Sequence, residues 1–298
     1  AEEARAALLE VSKAGANAAV FLALPHGESV ATWRALQAEL GEQAHALRVV
    51  DLAADFRLRD PARYAAAYGH AHAAPEELAS FAYGLPEFHR AAIANSRRAA
   101  APGCFATAMQ LACVPAARAK LLDATRPWIL HGITGSSGSG VEPKPGTHHP
   151  WRHGNMWAYA LDGHRHEAEL AQALENSGIS APLHFVAHSG PFARGIHMTC
   201  ALPLARRVTT AEVRSIYAET FAGETFVEVL ESKVPDLRSI SASNRAQLAV
   251  SVRGEVLTVL CTLDNMVKGG AGQALQCMNL MLGFPEHWGL PRAGLGVA

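Results

Sequence analysis

Apolar positions along the chain follow two different rhythms. Residues 17–25, NAAVFLALP, form a continuous apolar run closed by proline, which predicts a strand buried on both faces. In GESVATWRALQAEL (27–40), Val30, Trp33, Leu36 and Leu40 recur at helical spacing. ALRVVDL (46–52) reads as a second buried strand, and APGCFATAMQLACVPAARAKLL (101–122) contains another helix. Strand, helix and strand in succession predict parallel crossover units. From about Trp128 the rhythm changes. WILHGITG, LHFVAHSG, GIHMTCALPL, FVEVLES, QLAVSVRG and VLTVLCTL read as strands, with helices only near 166–176 and 210–222. Thr209 and Glu212 stand at capping-box spacing before the second helix, and SVRGEVLTV predicts a hairpin around Gly254. This part is predicted to be a mainly antiparallel sheet with helices on one face. The closing stretch VKGGAGQALQCMNLMLGF predicts a helix that returns to the first part.

Composition narrows the class. The chain has 298 residues, 49% of them apolar, enough for one large or two ordinary domains. Lys and Arg number 26 against 27 Asp and Glu, so the basic excess of a nucleic-acid binder is missing. No apolar run reaches membrane-spanning length, and AEEARAALLE is not a signal peptide. The five cysteines are odd in number and lack C-x-x-C spacing, which predicts free thiols in a reducing cytoplasm.

One of those thiols stands apart. Cys104 follows Pro102-Gly103 and precedes a run of helix formers, so Gly103 is expected in a tight or left-handed turn. Cys104 then falls at a helix N-terminus, where partial positive charge favours the nucleophilic thiolate. The alternative is a small buried apolar residue, which is the reading for Cys113, Cys200, Cys261 and Cys277 within apolar stretches. GHRHEAEL (163–170) offers His164 and His166 as proton carriers, with Glu169 on the opening turns of a helix. GITGSSGSG (132–140) is either a flexible connector or a loop whose amides hold phosphate or carbonyl oxygen. Arg194 is a candidate clamp for an anion, or simply a solvated arginine. A rival metal-hydrolase reading uses His148, His149, His153, His164 and His166. It is disfavoured because H-E-x-x-H is absent and THHPWRHGN reads as a loop.

Eight segments taken together, FLALPHG, VVDLAADFRL, AYGLPE, APGCFATA, GITGSSGSG, GHRHEAEL, PFARGI and LDNMVKGGAGQALQ, resemble in order and spacing the N-acetyl-γ-glutamyl-phosphate reductase family, within the aspartate-semialdehyde dehydrogenase group. The resemblance implies an α/β fold: a partial Rossmann-type NADP-binding domain from 1–103 and 267–298, and an α+β catalytic and dimerisation domain from 104–266. It implies Cys104 as nucleophile on a small acyl phosphate and His164 as acid–base. His166, Glu169, Arg57 and Arg194 are implied substrate contacts, and Pro25, Gly135, Ser137, Gly138 and Asn265 NADP(H) contacts. A homodimer or homotetramer is also implied.

Two departures matter. The family opens with a strand and a G-x-x-G-x-x-G turn that wraps the cofactor pyrophosphate, and AEEARAALLEVSKAGA holds only Gly15. A truncated, non-catalytic paralogue is therefore an alternative. Related reductases of carrier-bound substrates often carry Asn after the cysteine. Phe105 stands here, which favours a free N-acylated glutamyl phosphate, acetyl or succinyl. An exposed apolar sheet edge and poor solubility are further expectations. These 298 residues alone are expected to bind NADPH more weakly than micromolar, and a fluorescence titration measures it.

Overall fold

Proline, glycine and short capping side chains decide where the segments start and stop. The computed structural model describes residues 6, 7, 10, 18–140 and 142–295; expectations about the stretch 1–17 otherwise lie outside the described residues. Two units form, Ala1–Pro102 with Gln273–Gly289, and Gly103–Gly272 with Leu290–Ala298.

The first unit holds a four-stranded parallel sheet in the order β1-β2-β4-β3, from β1 (Ala19–Leu22), β2 (Arg48–Asp51), β3 (Ala82–Tyr83) and β4 (Arg98–Ala100). Helix α1 (Ser29–Leu40) buries Val30, Trp33, Leu36 and Leu40, the face its spacing predicted. Trp33 meets Phe81 edge-on, and Phe81 stacks on Phe56 with centroids 3.9 Å apart. Strand β1 differs from its expectation. Among the described residues it is an edge strand paired only to β2, and Phe21 is 44% exposed. A continuous apolar run marks burial on both faces only where both faces are covered.

Helices α2 (Pro61–Tyr68) and α3 (Pro86–Ala94) were not foreseen. Their apolar spacing is faint, yet α2 is punctuated plainly. Asp60 accepts the Ala62 amide at 2.8 Å, Pro61 opens the first turn, and Gly69 closes it at φ 78°.

The second unit is built on a seven-stranded sheet in the order β6-β7-β5-β8-β11-β10-β9. Its strands are β5 (Trp128–Thr134), β6 (Trp157–Tyr159), β7 (Leu183–Ser189), β8 (Ile196–Pro203), β9 (Val227–Val229), β10 (Ala246–Arg253) and β11 (Val256–Leu263). The sheet is mainly antiparallel, as predicted, with β5–β7 and β9–β10 as its parallel pairs. Gly254, at φ 61°, turns the predicted β10–β11 hairpin.

Helix α4 (Cys104–Arg118) is buried from Phe105 through Ala117, a helix without a polar face. The stretch expected as a loop contains a one-turn helix, α5 (His149–Arg152). Helices α6 (Glu167–Glu175) and α7 (Thr210–Thr220) stand where predicted, and Thr209 and Glu212 form the capping box. A second one-turn helix, α8 (Leu237–Ile240), was missed.

In the last helix, α9 (Gly272–Leu282), the part from Gln273 belongs to the first unit. Ala274, Cys277, Met278 and Met281 there join Val50, Ile93, Ala99 and Ala101 in one apolar cluster. No described helix is long and apolar enough to cross a membrane.

Asp51 ends β2 wholly buried, and burial, outweighing the nearby Arg57 guanidinium, pushes its pKa up to about 6. The folded state therefore holds this proton more tightly than the unfolded chain. The resulting stability is full below about pH 4 and lost as pH rises through about 6. Asp51→Asn is expected to flatten that slope by about 2–3 kcal/mol, read as urea midpoints across the range.

Candidate active site

Cys104 is the first residue of α4, half-buried, with Gly103 as its N-cap. Gly103 is not left-handed: it sits at φ −64°, ψ 148°, which any residue adopts. Glycine is needed for space, because a Cβ there would land on Nε2 of His166. The Gly103 amide donates to both carboxylate oxygens of Glu169, at 3.3 and 3.2 Å. On the other side, a Cβ at Gly269 would stand 2.7 Å from the Cys104 Cβ. The thiol is thus held between two close approaches, at the positive end of a buried helix.

A cavity of about 380 Å³ opens in front of it, lined among others by Thr134, Gly138, Trp157, Tyr159, His164, His166 and Ser189. Burial first, then the Arg165 charge, pushes His164 down to about 4, so its imidazole is neutral near pH 7. Its Nδ1 accepts the His166 amide at 3.1 Å, which assigns the proton to Nε2. The His164 ring lies edge-on to Phe105 and Phe185 and 4.6 Å from the His166 ring. Burial and then the Cys104 charge raise the Tyr159 hydroxyl, which stays protonated.

The other predicted residues are placed differently. Glu169 is buried behind the Gly103 turn and does not line the cavity. Arg194 pairs through Nε and Nη2 with both oxygens of the buried Asp264, at 3.1 and 3.2 Å. Arg57 lies in the first unit, its guanidinium donating to the carbonyls of Ala101 and Leu52. Pro25, in the same unit, follows β1, and its carbonyl accepts the Glu28 amide.

The Gly/Ser loop does not offer a row of free amides. Those of Gly135, Ser136 and Ser137 donate to the carbonyls of Gly195, Phe192 and Ala193. A Cβ at Gly135 would strike the Ala193 carbonyl, so the two loops lie back to back. Asn265 ties them together: Oδ1 accepts the Gly195 amide at 2.7 Å and Nδ2 donates to Ser137 Oγ at 3.0 Å. Thr134 Oγ1 is buried without a partner on the cavity wall near Gly138. Thr134 and Gly138 thus leave a polar notch of the kind a carboxamide fills. Among the described residues, no cluster of His, Cys, Asp or Glu is placed to hold a metal.

Residues 4–96 match the semialdehyde dehydrogenase NAD binding domain, and residues 104–265 the semialdehyde dehydrogenase dimerisation domain. N-acetyl-gamma-glutamyl-phosphate reductase of Pseudomonas aeruginosa (strain UCBPP-PA14) is 40% identical over 290 residues, covering 96% of this chain and 82% of that protein. The enzyme of the same name from Nitrosomonas eutropha is 40% identical over 275 residues, covering 91% and 78%. The chain belongs to the N-acetyl-gamma-glutamyl-phosphate reductase family. It is an NADP-dependent oxidoreductase of the phosphorylating semialdehyde dehydrogenase class.

The fold of this reductase is also that of aspartate semialdehyde dehydrogenase II from Vibrio cholerae, with a TM-score of 0.65 at 16% identity over 89% of this chain and 80% of that one. The enzyme from Francisella tularensis gives 0.63 at 13% identity, over 89% and 81%. Sequence reasoning missed Thr134, Lys144, Trp157, Tyr159 and Arg165 on the wall of the reductase cavity. Arg165, flanked by the two candidate histidines, was the one with a readable signal. Trp157 and Tyr159 sit on a strand too short for a pattern.

Gly103→Ala is expected to displace His166 and slow alkylation of Cys104 by iodoacetamide by about tenfold or more, with the far-ultraviolet circular dichroism unchanged.

Proposed function

We propose that this chain reduces N-acetyl-γ-glutamyl phosphate to the corresponding semialdehyde and phosphate with NADPH, a step of arginine biosynthesis. The observation that carries the reading is Cys104 at the N-terminus of α4, on a cavity shared with a neutral His164. Names of relatives at 40% identity support the substrate. Buried Phe105, packed on Phe185, favours the free N-acylated acid over a carrier-bound one.

The Cys104 thiolate attacks the acyl carbonyl; a C–S bond forms, the C–O bond to phosphate breaks, and phosphate leaves with the electron pair. His164 presents its Nε2 proton to the carbonyl oxygen as negative charge develops there. NADPH, when bound, supplies a hydride to the thioester carbon. His164 then takes the hydroxyl proton back as the C–S bond breaks, which frees the aldehyde and returns the thiolate. His166 holds the turn that carries the thiol, and Glu169 holds its amide. Arg194 acts through the buried Asp264 that it binds, Arg57 holds the Ala101 and Leu52 carbonyls, and substrate contact falls to the cavity side chains.

Gly135, Ser137, Gly138 and Asn265 hold the nicotinamide end of NADP(H), with Thr134 Oγ1 as the free polar atom for its carboxamide. Pro25 and the rest of residues 1–103, with 267–298, hold the nucleotide. Residues 104–266 carry substrate and the contacts of a homodimer or homotetramer in the cytoplasm.

Cys104→Ser is expected to lower phosphate-dependent oxidation of the semialdehyde by at least about a thousandfold, and His164→Asn by about a hundredfold. Near-normal turnover of Cys104→Ser ends the covalent reading.

A further inference from the structure

The acyl-phosphate reading requires cations for a substrate with two anionic ends, and the two arginines singled out in the sequence are engaged elsewhere. Arg194 is locked on Asp264, and Arg57 on backbone carbonyls. Among the described residues, the cationic side chains lining the cavity at Cys104 are Lys144 and Arg165, and the nearby Glu167 and Glu169 carboxylates are taken up by the His164 and Gly103 amides. Next to its wall, the buried Arg152 donates to Ser189 Oγ at 2.8 Å and to the carbonyls of Gly190 and Phe192, all neutral acceptors.

Lys144 has a fixed backbone. Its amide donates to Thr147 Oγ1 at 3.0 Å, and its carbonyl accepts from the Thr147 amide and hydroxyl at 2.9 Å. From there Nζ reaches the Ser139 carbonyl at 3.4 Å, and Ser139 and Thr147 also line the cavity. Arg165 sits between the two histidines, and its charge acts on His164 and Tyr159.

We infer that Lys144 holds the phosphoryl group of the substrate and Arg165 its carboxylate. A compact ammonium among hydroxyl-bearing residues suits a tetrahedral phosphate, whereas a planar guanidinium fork suits a carboxylate. With His164 uncharged, these two side chains and the helix end supply the positive potential in front of the thiol.

Alkylation of Cys104 separates this assignment from the activity it rests on, since Cys113, Cys200, Cys261 and Cys277 are buried. The probes are iodoacetate, an anion, and iodoacetamide, its neutral counterpart. Lys144→Met and Arg165→Met are each expected to lower the iodoacetate-to-iodoacetamide rate ratio about fivefold, a difference that shrinks as salt rises. In semialdehyde oxidation, Lys144→Met raises KM for phosphate about tenfold and Arg165→Met that for the semialdehyde, each leaving the other KM within about twofold. Lys144→Arg restores the alkylation ratio. An unchanged ratio, or KM effects that fall on the opposite substrates, overturns the inference. A wild-type thiol inert to iodoacetamide instead overturns the nucleophile reading beneath it.

Discussion

The close approach of His166 and Glu169 to the backbone of Gly103 is the constraint on which the site depends. An imidazole rests where a Cβ would otherwise stand, and a carboxylate takes the Gly103 amide. Together they fix where α4 begins. Because α4 is buried from Phe105 to Ala117, it has no solvated face along which to slide, and its first residue inherits that rigidity. Gly269 confines Cys104 from the other side.

The electrostatics follow from burial. Burial, then the Arg165 charge, pushes the His164 imidazole down to about 4, so it is neutral near pH 7. Cys104 stands at the positive end of α4, on a cavity that Lys144 and Arg165 also line. Asp264 organises the ground behind them. Wholly buried, it gathers the Arg194 fork and the amides of Ala242, Met266 and Val267. Its chain neighbour Asn265 is thereby aimed at Ser137 and Gly195.

Elements carrying their own local signal were legible. The stripe of Val30, Trp33, Leu36 and Leu40 marked α1, Thr209 and Glu212 capped α7, and Gly254 turned the last hairpin. The two- and three-residue strands β3 and β6 hold too few positions for a period to show, and α2 has alanines where a stripe would be. At the site, Cys104, His164 and His166 could be read because each motif is contiguous, and they do share one cavity. The arginines could not be apportioned, because a side chain reaching an anion and one reaching a buried carboxylate look alike in a string of letters.

By itself the order of residues determined the family, the candidate nucleophile and most long elements, because periodicity, caps and contiguous motifs are interactions between chain neighbours. Only tertiary structure decided why Gly103 is glycine and which cations line the cavity at the thiol. Those outcomes rest on exclusion and burial between residues as distant as 103, 166 and 269, and no local pattern encodes what distant atoms will leave room for.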